Sequence, residues 1–256
     1  MTGGTNRGQE VPDQSGIRMN VIGVIHSCFP EKFGIPRQAG LAPSALATIE
    51  LLEPFNREEM VRGLETFSHL WVQFLFHQSV SEGWKTTVRP PRMGGKERLG
   101  VFATRSPHRP NHIGLSAVSL LALRVSDGGV ELDIGGVDLL DGTPVLDLKP
   151  YIPYSDCLQE ATGGWLKAPF TEMEVVFSEQ AEEFCGFYEH QSGRPLSTLI
   201  REVLKTDPRP ASQRNRRSGF GISFWDVNIR WEVSGNTCRV ERCERIEREE
   251  RYSPDS

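Results

Sequence analysis

The feature of this sequence that most limits its possible folds is a series of short β-branched and aromatic runs separated by turn-forming residues. Each run is typical of a β-strand, and the runs cover residues 19–26, 47–52, 69–77, 99–104, 114–125, 130–137 and 145–148. Between these runs, only the stretch from Asn56 to Phe67 has a helical pattern, with Glu59 three residues after an N-cap and apolar residues at helical spacing. We therefore predict a mainly β fold, an antiparallel sheet closed into a barrel or paired as a sandwich, and a Rossmann sheet is disfavoured.

A second, smaller unit is predicted after the polar, turn-rich segment at residues 154–164. Its predicted elements, which make it α+β, are a strand at 172–177, helices at 179–188 and 195–206, and closing strands at 220–233 and 237–243. The predicted domains are therefore 18–156 and 165–246. Residues 1–17 are predicted to be a disordered tail and residues 247–256 a charged tail. The polar N-terminus has no apolar signal-peptide core and no run approaches the ~20 apolar residues that span a bilayer, so we expect a cytoplasmic protein without a membrane segment.

The net charge of -5 conceals a strong segregation of charge along the chain. Residues 85–124 contain eight Lys or Arg and a single acid, Glu97, while residues 205–217 contain five basic residues and a single acid, Asp207. Such segregation suits a protein that binds an anionic polymer on one face. The alternative is that these basic residues occupy separate, solvated loops.

Several common chemistries lack their sequence patterns. Zinc needs three or four convergent ligands, and His108 and His112 supply at most half of that set, so no metal is predicted. The five cysteines contain no C-x-x-C pair and are expected to be free thiols; in the absence of a G-x-S-x-G elbow, only Cys28 remains as a possible nucleophile. Glycine-rich phosphate-binding spacings are also missing, so a nucleotide-like ligand would need another kind of site.

Polar residues cluster instead in the connections between predicted strands. The four clusters are PRQA at 36–39, HQ at 77–78, TRS and RPN between 104 and 111, and DGTP at 141–144 with KPY at 149–151. In the third cluster, prolines fix the positions of Arg105 and Arg109, whose guanidinium groups suit carboxylate or phosphate. The DGTP sequence, taken alone, is more typical of a hairpin turn.

Taken together, these clusters resemble the TsaA-like family in order and spacing. The resemblance rests on IGVIHS, PRQAGL, RGLETFSHLWVQFLFH, RPPRMGGKERLGVFATRSPHRPNHIGLS and DLLDGTPVLDLKPYIPY, and DPRPA extends it into the second domain. It implies a non-Rossmann β-barrel that binds S-adenosyl-L-methionine near the interface of a homodimer. It also implies methylation of N6 of threonylcarbamoyl-adenosine at position 37 of tRNA. His108 and His112 fill positions that the motif leaves free, so we expect neither to act in catalysis.

The resemblance assigns the cofactor to residues in the strand connections. Carried over residue by residue, these are Arg37, Gln38, Ala39, His77, Gln78, Arg105, Leu115, Leu140, Asp141, Gly142 and Thr143.

Methylation of an acylated exocyclic nitrogen requires the loss of its N–H proton, so a general base is expected. The candidates are His77, Asp141 and Tyr151, although the carboxylate of the modified base could itself assist. The residues expected to bind tRNA are Arg109, Asn111 and Lys149 in the first domain and Asp207, Arg209, Arg214 and Arg216 in the second. Contacts to phosphates would make this binding sensitive to salt.

Two other functions remain open on the sequence. One is a methyltransferase with the same fold and cofactor that acts on a different RNA or a small molecule. The other is an RNA-binding module whose cofactor pocket is vestigial, which would not bind S-adenosyl-L-methionine.

Overall fold

The computed structural model describes residues 16–90, 97–166, 172–209, 213 and 219–246. The predicted tails, apart from residues 16 and 17, lie outside the described residues, and so do Arg214 and Arg216.

The described part of the first domain contains eight strands, of which six form a closed antiparallel barrel. In chain order the strands are β1 (Gly23–Ser27), β2 (Leu46–Leu51), β3 (His69–Leu75), β4 (Thr87–Val88), β5 (Leu99–Gly100), β6 (Ile113–Ser126), β7 (Gly129–Gly135) and β8 (Pro144–Pro150). The order around the barrel is β1-β2-β7-β6-β3-β8, while β4 and β5 form a separate two-stranded sheet. The predicted mainly β fold is confirmed, and the sheet closes as a barrel.

Alternating apolar residues form the core of the barrel. In β3, Leu70, Val72 and Phe74 are buried, and in β7 Leu132 and Ile134 are fully buried. Successive side chains of a strand point to opposite faces, so each alternation places one apolar row inside the barrel. Strand β8 closes the barrel because it pairs with β1 on one edge and with β3 on the other.

The structure differs from the sequence-based prediction in two connections. The predicted helix at 56–67 is divided into α1 (Glu58–Val61) and a 3-10 turn (Leu64–Thr66), because Gly63 between them has φ +87°. The predicted strand at 99–104 ends at Gly100 and continues as a 3-10 turn (Val101–Ala103). The Thr104 hydroxyl donates to the Val101 carbonyl at 2.8 Å and stabilises this turn.

In its described residues, the second domain is a four-stranded sheet with two helices. After α2 (Pro153–Asp156), its elements are β9 (Glu174–Phe177), α3 (Glu179–Ser192), α4 (Leu196–Lys205), β10 (Phe220–Phe224), β11 (Val227–Ser234) and β12 (Thr237–Arg245). The sheet order is β10-β11-β12-β9, and only the β12–β9 pair is parallel. Helix α3 begins after Ser178, whose hydroxyl accepts from the Ala181 N–H at 3.1 Å. None of the described helices is long and apolar enough to cross a bilayer.

The two domains are joined by packing and hydrogen bonds along the segment that follows β1. The rings of Phe29 and Phe224 meet edge to face with centroids 5.7 Å apart, and the Trp225 N–H donates to the Cys28 carbonyl at 2.9 Å. Burial raises the pKa of the Cys28 thiol to about 12. Cys28 is therefore a protonated packing residue at neutral pH and not a nucleophile.

Replacing Gly34 with Ala should weaken this junction. Gly34 has φ +96°, and a Cβ atom there would overlap the side chain of Ile222 in β10. Overpacking of this kind costs about 1–3 kcal/mol. The matched control is Gly63→Ala, because Gly63 has a similar φ of +87° but open space around the added methyl group. In urea titrations, Gly34→Ala should lose about 1–3 kcal/mol more unfolding free energy than Gly63→Ala. Equal losses would show that the junction tolerates the methyl group.

Candidate functional site

A cavity of about 900 Å³ opens at the mouth of the barrel, where several strand connections meet. We call it the barrel cavity. Most of the residues assigned to the cofactor line it, namely Arg37, Gln38, Ala39, His77, Gln78, Arg105, Leu115, Leu140 and Thr143. These residues come from five separate parts of the first domain and are brought together by the fold.

Hydrogen bonds hold the connections around the barrel cavity. The Gly40 N–H donates to the Gly136 carbonyl at 2.8 Å, which fixes the segment after β1 against the end of β7. The Arg105 guanidinium donates to the Gln38 side-chain oxygen and links two connections across the cavity. After β3 the chain turns into a 3-10 helix (His77–Glu82), which brings His77 and Gln78 to the cavity wall.

Asp141 and Gly142 lie beside the barrel cavity but not among the residues that line it. The Asp141 carboxylate accepts from the Ser27 N–H at 2.9 Å, and the Gly142 N–H donates to the Ile25 carbonyl at 2.8 Å. Gly142 has φ +75°, as this tight turn requires. Both residues therefore fasten the start of β8 to β1, and the turn places the buried Thr143 at the cavity.

The other residues predicted for catalysis and RNA binding in the first domain are divided between the cavity and its surroundings. Arg109 lines the cavity and donates to the Thr104 carbonyl at 3.3 Å. Tyr151 lies behind the wall, with its ring centroid 5.4 Å from that of the wall residue Trp71. Lys149 and Asn111 are exposed outside the lining.

Sequence reasoning missed Asp138, a carboxylate in the wall of the barrel cavity. The Ser116 hydroxyl donates to its Oδ1 at 2.6 Å. Burial raises the pKa of the Asp138 carboxyl, against the opposing effects of the Ser116 hydroxyl, nearby backbone N–H groups and the positive charge of Arg105. The sequence signal that could have identified Asp138 is its position as the first residue of DLLDGTP, directly after a predicted buried strand.

The two loop histidines have different environments. His112 is buried with φ +50°, and its ring Nδ1 donates to the Pro107 carbonyl at 2.8 Å, so it stabilises the loop. The His108 ring lies in the cavity wall, with Nε2 3.7 Å from a Glu82 carboxylate oxygen. Its Nδ1 is buried without a hydrogen-bond partner among the described residues. Within the described ranges, no group of three or more His, Cys, Asp and Glu side chains could hold a metal ion.

In the second domain, the structure places Arg209 in the interior. Its side chain is 7% exposed and its Nε lies 2.7 Å from the Asp207 carboxylate, while its guanidinium carbon is 5.7 Å from the centre of the Phe220 ring. A buried, paired arginine is poorly placed to contact a phosphate. The ion pair between Asp207 and Arg209 stabilises this part of the domain, and the role of the two residues in tRNA binding stays a prediction.

The barrel cavity has the chemical groups that S-adenosyl-L-methionine requires. Trp71, Phe74 and Phe76 supply apolar surface for a purine ring, and the positively charged Arg105 suits the cofactor carboxylate. The carboxyl oxygens of Asp138 can accept a hydrogen bond from the cofactor amino group. A volume of about 900 Å³ lies within the range of about 300–1,000 Å³ typical of small-molecule sites.

Comparison with known proteins decides the family. The sequence family model of the tRNA-methyltransferase O N-terminal domain matches residues 24–157 of this chain. The family model of the TrmO C-terminal domain matches residues 171–246. The chain belongs to the TrmO family. This confirms the resemblance to TsaA-like proteins that the strand-connection motifs indicated.

Relatives in the TrmO family match almost the whole chain. The tRNA (adenine(37)-N6)-methyltransferase of Escherichia coli K12 is 46% identical over 86% of this chain and 94% of its own length. A putative S-adenosylmethionine-dependent methyltransferase of Pseudomonas aeruginosa is 47% identical over 82% of this chain and 90% of its own length. A crystal structure of TrmO superposes with a TM-score of 0.74 at 42% identity, covering 89% of this chain and 99% of that one.

Replacing Asp138 with Asn should stabilise the protein at neutral pH and weaken its binding of cofactor. Burial raises the pKa of Asp138 in the folded protein above its ordinary value of 3.8. The protonated carboxyl therefore contributes its full stability to the folded state below pH 3.8, and this contribution is lost as the pH rises through the raised pKa. Asn keeps the shape and the acceptor for Ser116 but avoids the buried charge. In urea titrations, the variant should therefore gain stability relative to the native protein as the pH is raised to 7.

The affinity for S-adenosyl-L-methionine should fall about tenfold or more in Asp138→Asn, the loss expected for a hydrogen bond to a charged group. Titration calorimetry measures it. The control is Asp147→Asn, whose carboxylate accepts from a backbone N–H in β8 outside the cavity. Unchanged affinity in Asp138→Asn would exclude Asp138 from the cofactor site.

Proposed function

We propose that this chain uses S-adenosyl-L-methionine to methylate N6 of the adenosine at position 37 of tRNA. The observation that carries the proposal is the barrel cavity, where residues far apart in sequence form a site that fits the cofactor. The proposal is supported by the E. coli relative, whose name specifies this reaction. The clustering of basic residues in the sequence also supports an anionic polymer, such as RNA, as the substrate.

Within this proposal the substrate is threonylcarbamoyl-adenosine. Arg109 lies in the cavity wall with a fixed backbone contact, and a guanidinium group there can pair with the threonyl carboxylate. An unmodified adenosine lacks that carboxylate and would leave this cation without its partner. The enzyme is further proposed to act as a homodimer, as the family resemblance implies, and in the cytoplasm, as expected from its polar N-terminus.

When bound, S-adenosyl-L-methionine supplies a methyl group on a sulfonium that is already a good leaving group. The protein therefore needs mainly to hold donor and acceptor in line and to exclude water. The bridge from Arg105 to Gln38 and the hydrogen bond from Ser116 to Asp138 fix the polar walls before any ligand arrives. The rings of Phe74 and Phe76 meet edge to face with centroids 5.0 Å apart and form an apolar part of the cavity wall.

His77 is the proton acceptor in this mechanism. Of the three predicted bases, only His77 lines the cavity. Burial and the positive charge of Lys32 lower the pKa of its imidazole below 6.5, against a hydrogen bond with the Leu75 backbone that raises it. The ring is therefore neutral at pH 7, with a free nitrogen that can take the N6 proton.

Mass spectrometry of nucleosides tests the proposed reaction. The protein is incubated with S-adenosyl-L-methionine and tRNA that carries threonylcarbamoyl-adenosine, and the digest is expected to show this nucleoside heavier by one methylene unit. The control is the same tRNA transcribed without modification, which should stay unmethylated. Cofactor binding without any methylated nucleoside would contradict the proposal, and no cofactor binding at all would favour the RNA-binding module.

The acid limb of the pH–rate profile tests the role of His77. The value of kcat/KM should rise with an apparent pKa below 6.5 and then level off, because only neutral imidazole accepts a proton. In His77→Asn, kcat should fall about 10²-fold or more and this limb should disappear. The control is His26→Asn, because His26 is exposed and pairs with Glu50 away from the cavity. Full activity in His77→Asn would assign the proton to the substrate carboxylate instead.

A further inference from the structure

A second cavity, of about 1,380 Å³, lies against the barrel cavity and is built around the small β4–β5 sheet. We call it the β4–β5 groove. It shares Thr104, Arg105 and His108 with the wall of the barrel cavity. A linear polymer bound in the groove would therefore extend directly to the place where the methyl donor is proposed to bind.

Among the described residues, the charged side chains that line the groove are all positive. Its described lining contains five cationic side chains, those of Arg37, Lys85, Arg89, Arg98 and Arg105, and no aspartate or glutamate. The Arg98 guanidinium donates to the Thr87 hydroxyl at 2.9 Å, so it is held on the sheet without an acidic partner in the described structure. A surface of this kind attracts a polyanion such as a phosphate backbone.

Large aromatic rings lie among these cations. Trp84 is 59% exposed and Phe102 is 77% exposed, although side chains of this type are usually covered. Phe102 projects outward because the 3-10 turn at Val101–Ala103 buries its neighbour Val101. Trp165 is half-buried, and its indole N–H donates to the Ala103 carbonyl at 2.9 Å, which fixes it beside the same turn.

Cations interleaved with exposed aromatic faces are the means by which proteins bind single-stranded nucleic acid. Unpaired bases stack on the rings while the basic groups follow the backbone, whereas duplex RNA offers no free base faces. The groove volume exceeds the range of about 300–1,000 Å³ typical of small-molecule sites, so it has room for more than one nucleotide.

We propose that the β4–β5 groove binds the unpaired nucleotides next to the methylated adenosine, with bases stacked on Trp84 and Phe102 and phosphates held by Lys85 and Arg98. This inference rests on the proposed function and deepens it, since it makes the first domain the part that recognises the RNA loop. The alternative occupant, a second copy of this chain, is distinguished by the test.

The test compares two exposed phenylalanines. Phe102→Ala removes the groove ring, and Phe187→Ala removes a ring of α3 that is 61% exposed and lies outside both cavities. Binding of a fluorescent single-stranded RNA of eight nucleotides is followed by anisotropy. Phe102→Ala should raise the Kd roughly 5- to 150-fold, the loss expected for one stacked base, and Phe187→Ala should leave it unchanged.

Three further readouts make the result specific. The native protein should bind the single strand more tightly than a duplex of the same sequence, and single-stranded RNA should quench its tryptophan fluorescence through Trp84. Phe102→Ala should raise the KM for tRNA without changing the Kd for S-adenosyl-L-methionine. Lys85→Gln should reduce the slope of log K for RNA binding against log salt concentration by about one released counterion. The control Arg62→Gln, which lies outside the groove, should leave this slope unchanged.

An unchanged RNA affinity in both Phe102→Ala and Trp84→Ala would overturn the proposal, as would equal affinity for duplex and single strand. So would a Phe102→Ala protein that changes its oligomeric state in sedimentation while binding RNA like the native chain. The anisotropy measurement needs no methyl transfer, so it judges the groove even if no methylated nucleoside forms. Conversely, methylation by these variants with an unchanged KM for tRNA would contradict the groove and leave the proposed reaction standing.

Discussion

Closure of the barrel by β8 is the constraint on which the rest of this structure depends. This strand pairs with β1 through Val145 and Gly23 and with β3 through Pro150 and Leu70. A closed antiparallel barrel has no free edge, and it brings connections that are distant in sequence to a common mouth. The barrel cavity exists only because residues 36–39, 77–79, 104–109 and 138–143 meet there.

Two kinds of residue share these connections. One kind holds the backbone: Asp141 accepts from the Ser27 N–H, and His112 donates to the Pro107 carbonyl. The other kind presents polar groups to the cavity, as Asp138 does at the cost of a buried carboxylate whose pKa is raised. A site that is fixed in advance loses little free energy to reorganisation when ligands bind, which is the main requirement for a transfer that depends on alignment.

The sequence predicted the strands well because alternation of apolar residues directly reflects burial in a barrel. It failed where one backbone angle or one turn changed the local structure, as at Gly63 within the predicted helix and at Val101 after β5. The polar clusters in the strand connections could be found from the residues alone. Their meeting at one cavity could be predicted only through the family motifs, since spacing alone does not show which connections meet. Asp138, in the connection after β7, was missed because its hydrogen-bond partner Ser116 lies in β6, 22 residues earlier in the sequence. The burial of Arg209 against Phe220 and the exposure of Phe102 are likewise set by tertiary contacts.

Hydrogen exchange with mass spectrometry tests the central claim, that donor and RNA occupy adjoining sites in the first domain. Addition of S-adenosyl-L-methionine should slow exchange in the four connections around the barrel cavity. Further addition of an anticodon stem–loop carrying threonylcarbamoyl-adenosine should extend protection to the segments 84–88 and 98–103, which contribute lining residues to the β4–β5 groove. Cofactor protection confined to the second domain, or RNA protection that spares both segments of the groove, would contradict the account.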